Sequence, residues 1–372
     1  MLPYLLHAAK KYLSVTFFIF ALSISQMGGQ VLKDPSTLEL VRKAVDQMYS
    51  MSFSEALKTC DQINGKYKDH PVVSLLRGML IYWKNYPLMS GSVSSRAFEE
   101  QMHQCIEKCE DYKDDNEAEL LLANLCARGV LLLYYAANNL TSKAFSLGTS
   151  SYRYLRRSFA YTGTFPDFYF FTGLYNYYRE AYPDAHPSYK PLFAILPKGD
   201  RAKGMHELET AFTESIFMKA EASTFLSSNN KYFENDFEKA AYFSKTIYNK
   251  YPSNTVYLIN CIEDLLLTRR YDEAEKLILS PASRTNNRYY QAQLIVLRGV
   301  LNEKKYRNTA QARQQYSIGA ESLAEYGEYG NQFAAYAYFG LSRLSADNTH
   351  DQKIYRRKAV DLADFAEVNF DN

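Results

Sequence analysis

The sequence is poor in the residues that would cross-link a fold or give it a strong charge. Its 372 residues include five cysteines and one tryptophan, and 43 basic residues are nearly balanced by 41 acidic ones. Five cysteines in a chain of this length do not form a disulfide framework. The near-zero net charge offers no electrostatic footprint for nucleic acid. The composition therefore argues against a disulfide scaffold and against a nucleic-acid-binding protein.

Residue patterns for catalysis or metal binding are equally scarce. Cys105 and Cys109 lie with His103 in HQCIEKC, but a metal needs two more ligands and no second Cys/His pair has ligand spacing. We interpret the two thiols as residues of a helix face in the core. Asp184 and His186 stand between prolines, without a G-x-S-x-G nucleophile motif to use them. We therefore expect no enzyme, no catalytic or metal site and no cofactor.

The N-terminal residues 1–25 have the pattern of an export signal. Two lysines precede an apolar run over residues 12–24, and Ser23 and Ser25 take the −3 and −1 positions of a cleavage site before Gln26. The run is shorter than the roughly 20 residues of a membrane-spanning helix. The pattern predicts a cleaved signal peptide, with an uncleaved anchor as the alternative. We expect an exported protein, periplasmic or associated with the outer membrane.

Aromatic residues are abundant, with 33 Tyr and 22 Phe, and they accompany helical repeats. The clearest unit is residues 236–254, DFEKAAYFSKTIYNKYPSN, which has the aromatic, small, apolar and proline positions of the second helix of a tetratricopeptide (TPR) repeat. Residues 257–278 and 51–63 repeat parts of this pattern. The residues at these positions are Phe237, Ala240, Ser244, Ile247 and Pro252, then Tyr271, Ala274 and Ile278, then Phe53 and Ala56, with Ala44 in the preceding helix.

Glycine recurs inside apolar stretches that fit the first helices of these units. Because glycine in mid-helix costs about 1 kcal/mol relative to alanine, its recurrence predicts close helix packing. The glycines are Gly78, Gly129, Gly173, Gly299 and Gly340. No stretch alternates like a strand. We predict an all-α fold of about sixteen helices: a single TPR-like right-handed solenoid of antiparallel helix pairs over residues 26–372, with an irregular break at 182–199.

Sequence around the break resembles a known family. GLYNYYREAYP, followed by KPLFAILPKGDRAKGMHELETA, is similar to the central signature of a divergent TPR family that includes the eukaryotic tetratricopeptide proteins grouped with the fungal inclusion-body clearance protein. The matching positions are Gly173, Tyr175, Asn176, Pro183, Gly199, Asp200, Arg201, Gly204 and Leu208. The resemblance implies a TPR fold and a scaffold or binding role, and it supplies no catalytic residues. Those relatives are intracellular, so we carry over no pathway.

The same segment contains a candidate anion patch. Asp200 is in place to cap a helix N-terminus, where backbone N–H groups also attract anions. Four basic residues lie near it: Lys190, Lys198, Arg201 and Lys203. The segment lacks the Gly-Lys-Ser/Thr ending of a P-loop. The alternative is a structural joint between two helices, which we favour.

The predicted function is non-catalytic binding. A solenoid of helix pairs presents a concave face lined by first helices, which suits a protein or peptide partner held by aromatic anchors. The candidate binding residues are Tyr82, Trp83, Tyr134, Tyr135, Tyr175, Tyr178, Tyr257 and Tyr336. Some of these rings are expected in the core. The alternative function is an envelope protein that binds a small molecule or glycan, and association with the membrane or envelope is expected in either case.

Overall fold

The computed structural model describes residues 31–111, 117–187 and 190–371. The predicted signal peptide at 1–25 lies outside the described residues. Within them, all regular structure is helical, with sixteen α-helices of nine or more residues and one helix of five. This confirms the prediction of an all-α fold and of about sixteen helices.

Consecutive helices pack as eight pairs, and successive pairs contact one another to form a helical-repeat solenoid. The pairs are α1 (Pro35–Tyr49) with α2 (Phe53–Lys66), α3 (Pro71–Lys84) with α4 (Val93–Asp111), α5 (Glu117–Ala137) with α6 (Thr141–Ser158), α7 (Phe168–Ala185) with α9 (Arg201–Glu214), α10 (Lys219–Tyr232) with α11 (Phe237–Lys250), α12 (Thr255–Leu267) with α13 (Tyr271–Leu279), α14 (Arg288–Lys304) with α15 (Thr309–Leu323), and α16 (Glu328–Arg343) with α17 (Thr349–Leu362). The short helix α8 (Lys190–Ala194) lies between α7 and α9.

Local sequence explains where these helices start and how closely they pack. Asp236 precedes α11, and its side chain accepts a hydrogen bond from the backbone N–H of Lys239, which satisfies one free donor of the first turn. The small residues of the predicted repeats are fully buried: Ala44, Ala56, Ala240 and Ala274. A methyl side chain at these positions lets neighbouring helices approach closely.

The irregular break is shorter than the sequence predicts. Helix α7 continues through Pro183 to Ala185, so the irregular backbone begins at His186 rather than at residue 182. Proline removes one helical hydrogen bond, but Pro183 and Ala181 are buried, and this packing offsets the loss. After α8 the chain stays irregular up to Asp200, which caps α9 as predicted.

The early helix pairs also contact the late ones. The side-chain amide of Asn254 donates to the backbone oxygen of Tyr49 over 3.0 Å, and that of Asn287 donates to the backbone oxygen of Tyr86 over 2.9 Å. These partners are 205 and 201 residues apart in sequence. The later units therefore contact the C-terminal end of α1 and the loop that follows α3.

Candidate functional site

The eight candidate binding residues divide into two groups. Tyr134, Tyr135, Tyr257 and Tyr336 are buried, whereas Tyr82, Trp83, Tyr175 and Tyr178 are half-buried. The hydroxyl of Tyr336 donates to Glu263 Oε1 over 2.7 Å, inside the core of the later helix pairs. The buried group thus stabilises helix packing and has no surface to offer a partner.

Two residues of the half-buried group, Tyr175 and Tyr178, form hydrogen bonds within the protein. The Tyr175 hydroxyl donates to the backbone oxygen of Pro197 over 2.7 Å, and the Tyr178 hydroxyl donates to Asn229 Oδ1 over 2.5 Å. Both residues therefore tie α7 to neighbouring segments. The structure does bring Trp83 and Tyr257 together, with ring centres 6.0 Å apart, although they are far apart in sequence.

The candidate anion patch is partly neutralised by acidic side chains. Arg201 Nε lies 2.8 Å from Glu234 Oε1, and Lys203 Nζ lies 3.8 Å from Glu207 Oε1. The carboxylate of Asp200 already occupies the start of α9, where it accepts from the backbone N–H of Lys203 over 2.9 Å. Lys190, Lys198 and Lys203 are exposed, and among the described residues Lys190 and Lys198 form no ion pair.

The family-like signature around the patch packs α7 against α9. A Cβ at Gly173 would lie 3.0 Å from the backbone oxygen of Gly204 and from the backbone nitrogen of Leu208, so only glycine fits this contact. The buried Asn176 amide donates to Glu207 Oε2 over 2.7 Å, and its backbone oxygen accepts from the N–H of Asp200 over 3.1 Å. These contacts match the structural joint that we favoured from the sequence.

A large central cavity lies on the inner face of the first five helix pairs. Its volume is about 750 Å³, and its lining is almost entirely apolar. The first helices α1, α3, α5, α7 and α10 supply most of the lining, including Val41, Val45, Met48, Val72, Leu76, Met79, Trp83, Leu122, Val130, Phe170, Phe171, Leu174 and Phe225. Leu133 and Ala136 of α5 line the cavity and are also exposed to solvent, so the cavity opens there.

One of the five repeated glycines faces this cavity. Cβ atoms at Gly78, Gly173, Gly299 and Gly340 would collide with a neighbouring helix, as the sequence predicts. Gly129 differs, because a Cβ there would meet nothing within 4 Å, and this residue lines the cavity. The prediction of close packing is therefore wrong for Gly129, where the interior of the solenoid is open.

Polar groups reach the cavity at two places. At one of them, Glu119 lies 3.2 Å from His70 Nε2 and accepts the backbone N–H groups of Val31 and Leu32 over 3.2 and 3.0 Å. At the other, Glu221 Oε1 accepts the hydroxyl of Tyr49. Its second oxygen, Oε2, is buried and has no hydrogen-bond partner among the described residues. Burial raises the pKa of Glu221 to about 7.

A buried aspartate that the sequence analysis missed holds the wall of the cavity in place. Asp167 is fully buried and accepts the backbone N–H groups of Ile216, Phe217 and Met218 over 2.7 to 3.0 Å. Phe217 and Met218 line the cavity. Burial raises the pKa of Asp167, while the three N–H groups oppose that rise. Its partners lie about 50 residues along the chain, so no local pattern indicates this role.

A second, polar pocket of about 180 Å³ lies among the later helix pairs. Its floor contains a buried ion cluster, in which Lys231 Nζ lies 3.0 Å from Glu263 Oε2 and 2.9 Å from Asp264 Oδ1. The Ser227 hydroxyl completes the cluster by donating to Asp264 Oδ2 over 2.7 Å. Because each charge has a close partner of opposite sign, this cluster is satisfied by the protein itself.

The described residues contain no group suited to a metal ion, and one helix has the length and composition of a membrane span. The described part of the chain has no group of three or more His, Cys, Asp or Glu side chains that could hold a metal ion. A side-chain hydrogen bond with Cys109, together with burial, raises the pKa of the Cys105 thiol. Helix α5 is long and apolar enough to cross a membrane, but 61% of that stretch is buried inside the protein, a property that it shares with core helices.

Comparison of the chain with protein-family models, curated proteins and solved structures finds no match. The function is therefore inferred from the geometry of the central cavity.

Proposed function

We propose that this protein binds an elongated apolar small molecule in the central cavity. The observation that carries the proposal is the cavity of about 750 Å³ with an almost entirely apolar lining. Ligand pockets of proteins typically have about 300–1,000 Å³ and are mostly apolar with a few polar groups. Apolar cavities stay dry and take up apolar guests even at about 150 Å³. Size and lining both support a hydrophobic ligand.

This proposal develops the small-molecule alternative rather than the protein partner that the sequence first suggests. A peptide in the concave face would need exposed anchors on the first helices. Four of the eight aromatic candidates are buried in the core and cannot serve as such anchors. A glycan would need polar positioning groups around its hydroxyls. The cavity presents few, which favours an alkyl-like ligand.

We include the divergent TPR fold and export in the same proposal. The fully buried small residues at the repeat positions support the first, and the charged and apolar pattern of residues 1–25 supports the second. Export is tested by mass spectrometry of the protein isolated from its own cells. The mature N-terminus is expected at Gln26, and retention of residues 1–25 would contradict cleavage.

Binding is tested with an uncharged long-chain alcohol, 1-dodecanol. Trp83 is the single tryptophan of the chain and lines the cavity, so its fluorescence reports on occupancy without a label. We expect a saturable change of Trp83 emission and a higher melting temperature with dodecanol, because a ligand of the native state stabilises it.

A matched pair of glycine variants separates cavity binding from surface adsorption. Gly129→Leu places a side chain in the cavity and is expected to weaken dodecanol binding by about tenfold or more. Gly65→Leu also replaces a helical glycine with open space around it, but Gly65 lies on the surface of α2. It is expected to bind like the wild type. Failure of dodecanol to bind, or equal binding by Gly129→Leu, would refute the proposal.

A further inference from the structure

Next to the carboxylate of Glu221 is a cluster of four aromatic rings, the aromatic enclosure, which consists of Tyr49, Trp83, Tyr251 and Tyr257. The ring centre of Tyr49 is 5.5 Å from that of Trp83, 5.4 Å from that of Tyr251 and 6.2 Å from that of Tyr257. Burial raises the pKa of the Tyr251 and Tyr257 hydroxyls, and the nearby Glu221 carboxylate adds to the rise at both. The enclosure adjoins the cavity, since Tyr49, Trp83 and Glu221 are among its lining residues.

Glu221 lacks the basic partner that Glu263, Asp264 and Glu303 have, and it also lacks the three backbone N–H donors that satisfy the buried Asp167. Glu263 and Asp264 share Lys231, and Glu303 pairs with Arg343 over 2.7 Å. No basic side chain among the described residues forms an ion pair with Glu221. Its Oε2 atom is buried without a hydrogen-bond partner. Burial of an uncompensated carboxylate is unfavourable, so the site is one charge and one hydrogen-bond donor short of being satisfied.

We infer that the ligand is an amphiphile with a cationic amine head, which binds Glu221 beside the aromatic enclosure while its alkyl tail lies in the central cavity. This inference rests on the proposed function, since it assigns the head group of the same ligand. An ammonium head supplies what the site lacks: a positive charge and N–H donors for Oε2. The faces of tyrosine and tryptophan rings attract the same cation.

Three ligands with the same alkyl tail and different head groups test whether the site prefers a cationic, a neutral or an anionic head. Dodecylamine, 1-dodecanol and dodecanoate share an alkyl chain and differ as cation, neutral donor and anion. We measure their binding by Trp83 fluorescence at about pH 8, where Glu221 is ionised and the amine is protonated. Dodecylamine is expected to bind about tenfold or more tightly than dodecanol, and dodecanoate more weakly than either, because a like charge would face Glu221.

Two isosteric variants assign the preference to one carboxylate. Glu221→Gln is expected to abolish the advantage of the amine over the alcohol and to leave dodecanol binding within about twofold. Glu119→Gln is the control, because Glu119 lines the same cavity but already has His70 and two backbone N–H groups as partners. It is expected to retain the amine preference.

The outcomes distinguish this inference from the function on which it rests. If dodecanol binds the cavity but the wild-type protein shows no preference for the amine, the head-group inference is wrong and the apolar function stands. If Glu119→Gln loses the preference as fully as Glu221→Gln, the assignment to Glu221 is wrong. If none of the three compounds binds, both proposals fail. Because the comparison of heads uses the wild-type protein, it does not depend on how well Glu221→Gln folds.

Discussion

A mid-helix glycine occurs both in the third helix pair and in the last two pairs, but its surroundings are open in the third pair and filled in the last two. In the last two pairs, the ring of Tyr316 on α15 fills the space between Gly299 of α14 and Gly340 of α16. A Cβ at Gly299 would lie 2.8 Å from that ring. In the third pair, Gly129 of α5 faces open space in the central cavity. In the last two pairs the glycines allow close packing of a ring between helices. In the third pair the glycine of the first helix, α5, borders empty space.

Buried polar groups are satisfied in the packed region, whereas the cavity region leaves one of them without a partner. The buried hydroxyl of Tyr316 donates to Glu303 Oε2 over 2.7 Å, and Glu303 is paired with Arg343. In the cavity region, Glu221 is left with one unsatisfied oxygen. Stability alone favours filled space and satisfied charges. This difference supports the proposal that the cavity region binds a ligand.

Truncation at the most tightly packed point is expected to have the largest effect on stability. Tyr316→Ala removes a fully buried ring between two helices, and we expect it to lower the free energy of unfolding by about 3–5 kcal/mol. Chemical denaturation provides the measurement. Tyr316→Phe, which removes only the hydroxyl, is the control, with an expected loss of about 1–2 kcal/mol. A loss below about 1 kcal/mol for Tyr316→Ala would contradict the tight packing assigned to this region.

Glu221, the acid without a basic partner in the cavity region, should make the free energy of unfolding depend on pH. Burial raises the pKa of Glu221 from its ordinary value of 4.5 to about 7 in the folded protein. Since the unfolded chain releases this proton at lower pH, the wild type loses stability as the pH rises from about 4.5 to about 7. The Glu221→Gln variant has no carboxylate to ionise and does not lose this stability. The free energy of unfolding of the variant should therefore exceed that of the wild type by roughly 3 kcal/mol above pH 7.

The difference between the two unfolding free energies is measured from about pH 5 to about pH 8. The groups that face Glu221 are Tyr49, Tyr251 and Tyr257, and burial raises the pKa of the latter two, so they stay neutral throughout this range. A difference that is flat with pH would show that Glu221 is not held protonated by burial. The same result would remove the electrostatic argument for a cationic ligand head.

A single methyl group is expected to destabilise the packed region. In Gly340→Ala the new Cβ would lie within 2.7 Å of Cδ2 of Tyr316, whose side chain is fully buried. Overpacking of this kind typically costs about 1–3 kcal/mol, which outweighs the gain in helix propensity. The melting temperature should fall accordingly. An unchanged or higher melting temperature would mean that Tyr316 can shift, and that the later pairs are less rigid than their packing indicates.

Much of the architecture follows from sequence, but the identity of the site does not. Helix number, the small positions at Ala240 and Ala274 and the N-cap at Asp200 depend on contacts within one or two helices, which local patterns encode. A tyrosine that fills the core and one that faces a concave interior occupy the same stripe of a first helix. The roles of Asp167 and Glu221 depend on partners about 50 to 170 residues away, and no local pattern indicates them.

A glycine-to-alanine substitution in the cavity region has the smallest predicted effect. It tests the difference between the two regions most directly, because it is the same substitution as Gly340→Ala in the packed region. Gly129→Ala adds a methyl group to open space and removes the conformational cost of a mid-helix glycine. We expect it to raise the free energy of unfolding by up to about 1 kcal/mol, opposite in sign to Gly340→Ala. Thermal and chemical unfolding of the two variants side by side provide the measurement. If both substitutions destabilise by similar amounts, α5 is packed as tightly as α16 and the central cavity is not open at Gly129.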